Sequence, residues 1–293
     1  MKQLTKKAYA KLNLVLDVCR KRDDGYHELR TVMQTVSLYD ELTFRKREDR
    51  EIRLEVHAAE QDVPCDQNNL VYRAVSAVME RCEACGGMEI VLKKQIPSAA
   101  GMAGGSADAA AAILACNELY DLQMDSRMMC ELAVGIGADV PYCMTGGTVL
   151  CEGIGEIMTP LTTLPKLYFI LIKPDVSVST AAVYHALDSA KDTWHPDVDG
   201  MIRAVKKQDA AAVVNCLGNV LESVTIPQHP VIDESKQLLS DCGAQGVLMS
   251  GSGPTVFGIF FDRDLQRRAY EILCQTDGIG QVFLAEPVPD IHG

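Results

Sequence analysis

Apolar and polar residues alternate over residues 4–19, which is the pattern of a β-strand. The even-numbered positions from 10 to 18 are all apolar, whereas Lys11, Asn13 and Asp17 fall on the opposite face. We therefore expect a half-buried strand that presents Lys11 and Asn13 side by side. A solvated lysine on an edge strand is the simpler alternative, although a polar Asn13 stands where a strand favours β-forming residues.

The same patterns predict the other elements of the first half of the chain. Strands are expected at 29–38, 41–46, 51–57, 88–96 and 146–152, and helices at 70–82, with Asn69 as a cap, and at 107–119. A segment with two prolines at 159–165 then reads as a linker. It predicts two domains, 1–160 and 161–293.

The second half has an order of elements that indicates its fold. A strand at 167–173 is followed by several helices, two strands at 246–249 and 255–261, a helix at 264–275 and a last strand near 281–284. This is the split βαβ, or ferredoxin-like, order. The chain is therefore predicted to be an α+β protein.

A glycine-rich segment, PSAAGMAGGSADAAAA at 97–112, joins a predicted strand to a predicted helix. Gly101, Gly104 and Gly105 would let a ligand approach the backbone, and the N–H groups of the first helical turn would attract an anion. We interpret the segment as a phosphate-binding loop. The spacing fits neither a Walker A motif nor G-x-G-x-x-G, and a strand-to-helix turn that binds nothing is the alternative.

Charge and cysteine content narrow the class of protein. A net charge of −12 argues against non-specific binding to nucleic acid or anionic membranes, and it requires local donors for any phosphate ligand. The 11 cysteines are scattered without a zinc-ligand spacing, which indicates reduced thiols. We find no run of transmembrane length and no typical signal peptide, so a cytoplasmic protein is expected.

Further short motifs accompany the glycine-rich segment. The set comprises AKLNL at 10–14, DGYH at 24–27, IPSAAGMAGGSADAAA at 96–111, GADVP at 137–141, CEGIGE at 151–156 and SGSGPTVF at 250–257. In this combination and order the chain resembles the GHMP kinases, and among them those that act on cytidine diphosphate methylerythritol.

The resemblance implies an ATP-dependent small-molecule kinase of non-mevalonate isoprenoid biosynthesis, with Mg²⁺. It implies an N-terminal domain like domain 2 of ribosomal protein S5, a ferredoxin-like C-terminal domain, and an active site between them. By the same resemblance, Asp139 would take the proton of the substrate hydroxyl, and Lys11 would offset charge on the transferred group. The ATP phosphates would be held by Pro97, Ser98, Ala99, Ala100, Gly101, Met102, Ala103, Gly104, Gly105, Ser106 and Ala107.

The resemblance also assigns the two ends of the ligands. Asn69 and Lys94 lie where the family holds adenosine. Cytosine and the rest of the substrate would contact Asn13, Tyr26, His27, Ile154 and Tyr184.

The magnesium ligands are left open. Ala107 stands where the family usually has a second Ser or Thr, so only Ser106 offers a hydroxyl to phosphate or magnesium. Asp108 is a candidate ligand, and an acidic residue at a helix start is the simpler alternative.

Other functions remain to be weighed. One is another small-molecule kinase of the superfamily, acting on homoserine or mevalonate, although DGYH at 24–27 argues against it. A non-catalytic S5-like binding module is a second, and the acidic charge together with Lys11 and Asp139 argues against that. We expect a small-molecule substrate, no nucleic-acid or membrane partner, and a monomer or homodimer.

Overall fold

Two long neighbouring strands, β1 (Gln3–Lys21) and β2 (His27–Lys46), begin the fold. The turn between them contains Gly25 with a φ of 88°, a left-handed conformation that glycine adopts without strain. The computed structural model describes residues 3–59, 63–190 and 193–291.

The chain forms two compact units, and β1 and β2 contribute residues to each. The first unit comprises Met1–Ala10, Leu38–Ser98 and Ala103–Thr145, and the second comprises Lys11–Ser37, Ala99–Met102 and Gly146–Gly293. These units interleave along the sequence. The expected boundary between sequence domains at residue 160 therefore stays a prediction.

In the first unit, β4 (Met88–Lys93) lies between two other strands. It pairs antiparallel with the end of β2, where Glu41 faces Lys93, and parallel with β3 (Ile52–His57). The helices of this unit are α1 (Leu70–Arg81), α2 (Gly104–Tyr120), α3 (Ser126–Ile136) and α4 (Val140–Thr145).

The core of the first unit is built around α2. This helix is buried on nearly all sides, as expected for a helix that is apolar all round. Its alanines, Ala109 to Ala112, belong to one apolar cluster with side chains of α1 and with Phe44 and Leu42 of β2. Because alanine is small, neighbouring elements can approach α2 closely.

The second unit has two groups of strands. In the first group, β5 (Thr148–Gly153) pairs antiparallel with the start of β2 and with β6 (Ile157–Pro160), and the short β8 (Gly218–Asn219) pairs parallel with β1. The second group is a sheet of β7 (Tyr168–Lys173), β9 (Gly246–Met249), β10 (Val256–Phe260) and β11 (Gln281–Ala285).

The order of this second sheet confirms the ferredoxin-like prediction. Its strands lie in the order β11-β7-β10-β9, with every pair antiparallel, so the last and third strands flank the first. The helices of the unit are α5 (Thr180–Ser189), α6 (Val198–Lys206), α7 (Ala210–Asn215), α8 (Glu222–Gln228), α9 (Val231–Asp241) and α10 (Arg263–Cys274).

Two predictions about the long strands were wrong. Residues 10–16 of β1 are buried on both faces, so the strand is not half-buried there. The separate strands expected at 29–38 and 41–46 are one strand, because the polar Asp40 does not break it. Asp40 is fully buried instead and has hydrogen-bond partners, described below.

None of the helices in the described part of the chain is long and apolar enough to cross a membrane.

Candidate active site

Lys11 and Asn13 lie side by side on β1, as the alternation predicts, but inside the protein. Lys11 is 4% exposed and Asn13 is 1% exposed. The Lys11 ammonium donates to Asn13 Oδ1 at 2.6 Å, and Asn13 Nδ2 donates to Thr31 Oγ1 on β2 at 2.9 Å. A buried charge needs such partners. The simpler alternative, a solvated edge lysine, is thereby excluded.

The backbone of the phosphate-loop candidate is left-handed at every second residue. Ala99, Gly101 and Ala103 have φ values of 47°, 73° and 56°. Alternation with left-handed residues is how a chain turns successive N–H groups to one side and forms an anion-binding concavity. Only one of the three is a glycine, so the glycine content of the segment does not show how many of its residues are left-handed.

Gly104 and Gly105 do not contribute to the left-handed backbone, and their predicted close approach to a ligand stays a prediction. Neither has a positive φ, and both lie in the first turn of α2. Ala103 caps this helix without a side-chain hydrogen bond, so the first N–H groups have no side-chain cap. A helix start of this kind attracts an anion.

Ser250 holds the loop in place through hydrogen bonds to the backbone. Its hydroxyl donates to the carbonyl oxygen of Gly101 at 2.9 Å and accepts the N–H of Asn13 at 3.3 Å. The Lys11 N–H donates to the carbonyl oxygen of Met102 at 3.1 Å. Residues from the motifs at 10–14, 97–107 and 250–257 therefore meet through hydrogen bonds within the second unit, which contains 11–37, 99–102 and 146–293.

Gly101 is required by space at this meeting point, and Gly251 by its backbone conformation. A Cβ on Gly101 would lie 2.2 Å from the carbonyl oxygen of Ser250, so a side chain there would displace the network. Gly251 has a φ of +59°, at which any other residue would be strained.

Asp139 and Ser106 belong to the first unit. Asp139 precedes α4, and its carbonyl oxygen accepts the N–H of Cys143 at 3.0 Å. Ser106 stands in the first turn of α2, and a Cβ on Gly137 would lie 3.8 Å from its Oγ. The GADVP turn and the helix start are therefore neighbours.

Lys94 is at the centre of a buried charge cluster. Its ammonium donates to Asp40 Oδ2 at 2.5 Å and to Asp108 Oδ2 at 2.8 Å, and these three side chains are 7%, 0% and 3% exposed. Asp40 Oδ1 also accepts the N–H groups of Gln95 and Ile96. Burial opposes the charge on Lys94, but the two carboxyl groups outweigh it and raise the pKa of Lys94.

Asp108 does not fit a magnesium ligand. Burial, only partly offset by Lys94, raises the pKa of Asp108 to about 8, so it is largely protonated at neutral pH. Its Oδ1 has no hydrogen-bond partner among the described residues. No group of three or more His, Cys, Asp or Glu side chains in residues 3–59, 63–190 and 193–291 is arranged to hold a metal ion.

Asn69 and Lys94, predicted near adenosine, have structural partners. Asn69 caps α1, accepting the N–H of Val71 at 2.9 Å, and its amide donates to the carbonyl oxygen of Pro64 at 2.7 Å. The capping prediction is confirmed. The assignment of Asn69 and Lys94 to adenosine stays a prediction.

The residues predicted around the cytosine lie in the second unit. Tyr26 is 58% exposed, whereas the side chain of His27 is 11% exposed. The rings of His27 and Tyr184 lie against each other, with centroids 4.8 Å apart. Ile154 belongs to a turn in which its N–H donates to Glu156 Oε2 at 2.6 Å.

Sequence reasoning missed several residues that organise these sites. Asp40, Thr31 and Asp188 received no role, and Ser250 was noticed only as part of a motif. A polar residue inside a strand, as Asp40 and Thr31 are, was the available signal.

Comparison with known proteins identifies the family. The model described as GHMP kinases N terminal domain matches residues 69–147, and the one described as GHMP kinases C terminal matches residues 201–278. A 4-diphosphocytidyl-2-C-methyl-D-erythritol kinase of Lachnospira eligens is 46% identical over 286 residues, which is 98% of this chain and 99% of the relative. The chain belongs to the GHMP kinase family. The enzyme of the same name from Caldicellulosiruptor saccharolyticus is 46% identical and covers 96% of this chain and 93% of its own.

Solved structures agree with this family. The crystal structure of a 4-(cytidine 5'-diphospho)-2C-methyl-D-erythritol kinase has a TM-score of 0.80 and 32% identity, and it covers 97% of this chain and 99% of its own. The crystal structure of the L. major mevalonate kinase in complex with R-mevalonate has a TM-score of 0.76 and 15% identity, and it covers 98% of this chain and 96% of its own. At that identity the second likeness concerns the fold alone. The α+β kinase fold predicted from the sequence is confirmed.

Gly104 and Gly105 form a matched pair for a stability test. A Cβ on Gly104 would lie 2.9 Å from Ile96 Cγ2, whereas on Gly105 it would make an ordinary 3.4 Å contact with Leu70. We expect Gly104→Ala to destabilise the protein by about 1–3 kcal/mol through overpacking. Gly105→Ala should be neutral or slightly stabilising, since alanine favours a helix. Chemical denaturation measures both, and equal stabilities would contradict the packing described here.

Asp108 predicts a pH dependence of stability. Its pKa of about 8 in the folded state lies above the unfolded value of about 3.9, so the folded state binds the extra proton between these values. The stabilising contribution is complete below pH 4 and is lost as the pH rises through 8. Asp108→Asn cannot titrate, so its stability relative to the wild type should improve steadily from pH 5 to pH 8.

Urea unfolding at each pH measures this difference. Asp199→Asn is the control, because Arg30 lowers the pKa of Asp199 and no titration is expected in that range. Parallel curves for the wild type and Asp108→Asn would show that Asp108 is ionised throughout.

Proposed function

We propose that this kinase transfers the terminal phosphoryl group of ATP to the 2-hydroxyl of 4-diphosphocytidyl-2-C-methyl-D-erythritol. The observation that carries the proposal is the 46% identity, over 98% of the chain, to a relative of that name. The buried Lys11–Asn13 pair and the left-handed loop beside it support a phosphoryl-transfer site. Such a reaction belongs to non-mevalonate isoprenoid precursor biosynthesis.

The ATP phosphates are assigned to residues 97–107. The support is the left-handed backbone at Ala99, Gly101 and Ala103, followed by the uncapped start of α2. Backbone N–H groups suit a chain with a net charge of −12, because they attract phosphate without requiring a cationic surface. The fixed position of Gly101 against Ser250 prepares the loop before ATP binds.

Lys11 and Asp139 are assigned to the chemistry. Phosphoryl transfer depends mainly on positioning and charge stabilisation. Asp139 accepts a hydrogen bond from the substrate hydroxyl and takes its proton, which a loose transition state requires only late. Lys11, oriented by Asn13 at 2.6 Å, offsets the charge that develops on the transferred group.

Magnesium is proposed on the chemistry of the phosphates. When bound, Mg²⁺ would neutralise part of the negative charge of the phosphates. The Ser106 hydroxyl, in the first turn of α2, is the protein group proposed to contact it or a phosphate. Asp108 is not proposed as a ligand, since Lys94 and burial occupy it.

The cytosine end is assigned to Tyr26, His27 and Tyr184, with Asn13 and Ile154 lining the rest of the substrate. The exposure of Tyr26 leaves its ring available for stacking on a base, which is worth about 1–3 kcal/mol. Adenosine contacts by Asn69 and Lys94 remain part of the proposal. The cytoplasmic location and a monomer or homodimer are also retained as expectations.

Substitution of the two assigned catalytic residues tests the chemistry. We expect Asp139→Asn and Lys11→Ala each to lower kcat by roughly 10²-fold or more, with little change in the affinity for an ATP analogue. Steady-state kinetics and calorimetry with a non-hydrolysable analogue measure the two effects separately. Full activity of Asp139→Asn would remove its assignment as the base.

A panel of substrates tests the function itself. We expect ADP release with 4-diphosphocytidyl-2-C-methyl-D-erythritol, much slower release with its uridine analogue, and none with homoserine, mevalonate or galactose. Tyr26→Ala should raise KM more than it lowers kcat, because stacking contributes equally to the ground and transition states. Faster turnover of homoserine or mevalonate would leave the family intact and overturn the proposed substrate.

A further inference from the structure

Helix α5 brings two side chains to the ring of His27. Tyr184 and Asp188 are four residues apart and therefore lie on the same face of the helix. The Tyr184 ring lies against His27 at a centroid distance of 4.8 Å and an angle of 35°. Asp188 Oδ1 is 2.7 Å from His27 Nε2. The imidazole is thus held on one face and at one nitrogen by one helix.

The Asp188 carboxylate is itself fixed. Its second oxygen, Oδ2, accepts a hydrogen bond from Lys21 Nζ at the end of β1, at 2.6 Å. The hydrogen bond with His27, and then that with Lys21, lower the pKa of Asp188. An ionised carboxylate can only accept hydrogen bonds, so the proton between Asp188 and His27 lies on Nε2.

This arrangement determines which hydrogen-bonding nitrogen of His27 is presented to a ligand. Because Nε2–H donates to Asp188, Nδ1 is the ring nitrogen that remains for a hydrogen bond with a ligand. In the neutral ring Nδ1 is an acceptor. A flip of the ring would exchange the nitrogens and break the 2.7 Å bond to Asp188. The side chain is also 89% buried, as only 11% is exposed, which restricts other rotamers.

We infer that Asp188 is a positioning residue that sets base selectivity by fixing the tautomer and orientation of His27, with Tyr184 supporting the ring face. The inference rests on the proposed function for the identity of the base. A fixed ring presents one pattern of donor and acceptor, and cytosine and uracil differ in that pattern at two adjacent ring positions. An imidazole that turns freely can match either base, so discrimination falls when Asp188 is lost.

Two substitutions separate this role from a structural one. Asp188→Ala removes the contacts with both His27 and Lys21, whereas Lys21→Ala removes only the ion pair with Lys21. We expect Asp188→Ala to raise KM for the cytidyl substrate about tenfold, with kcat changed less than about twofold, and to reduce the preference for cytidyl over uridyl substrate about tenfold. Lys21→Ala should keep the preference of the wild type.

A second His–Asp pair supplies a further control. His195 Nδ1 lies 2.7 Å from Asp17 Oδ1 in the same unit. Asp17→Ala breaks a pair of equal length and should leave base preference unchanged. If Asp17→Ala, or Lys21→Ala with Nε2 of His27 still protonated, lowered the preference as much as Asp188→Ala, a general structural effect would replace the positioning role.

Nitrogen-15 NMR of His27 tests the tautomer without any substrate. The wild type and Lys21→Ala should show a protonated Nε2, and Asp188→Ala should show a mixture of tautomers. A His27 protonated on Nδ1 alone in the wild type would overturn the inference. If the wild type did not turn over the cytidyl substrate, the proposed function would fail, and the NMR result would still decide whether Asp188 fixes the ring.

Discussion

The hydroxyl group of Ser250 fixes the backbone of the loop that is proposed to bind phosphate. It is completely buried and joins the carbonyl oxygen of Gly101 to the N–H of Asn13. Asn219 fixes the backbone around Ser250, because its amide donates to the carbonyl oxygens of Met249 and Gly251, on either side of Ser250. A side-chain hydroxyl can satisfy a donor and an acceptor together, which an apolar residue of similar size cannot.

A second constraint acts on the two ends of the same loop. Asp40 binds the N–H groups of Gln95 and Ile96 just before the loop, and Lys94 connects Asp40 to Asp108 in the helix that follows. Breaking a buried pair by removing one partner leaves an uncompensated charge, which is strongly destabilising. The raised pKa of Asp108 limits this problem, since protonation of Asp108 reduces the buried charge beside Lys94. The cluster therefore holds the loop entrance in place without a large buried charge.

The sequence predicted what depends on local patterns. Helix α1 with its Asn69 cap, the strand order of the ferredoxin-like sheet and the grouping of Lys11 with Asn13 all follow from periodicity and capping preferences. The sequence did not predict the features that depend on contacts between residues far apart in the chain. The two strands predicted on either side of Asp40 are one strand, and the partner that Asp40 has there, Lys94, is 54 residues away. Ala99 and Ala103 could not be predicted as left-handed, since alanine has no intrinsic preference for that conformation.

These constraints fit the proposal that an acidic chain holds phosphate with its backbone. The left-handed alanines at 99 and 103 each cost about 1–2 kcal/mol of conformational energy, and they persist only when the surroundings determine them. Ser250 and the Lys11 N–H hold this conformation through hydrogen bonds to the carbonyl oxygens of Gly101 and Met102. These two carbonyl oxygens point towards Ser250 and Lys11, so the N–H groups of the same peptides point in the opposite direction. The affinity for anions that we propose for this loop therefore depends on its anchored backbone rather than on the overall charge of the chain.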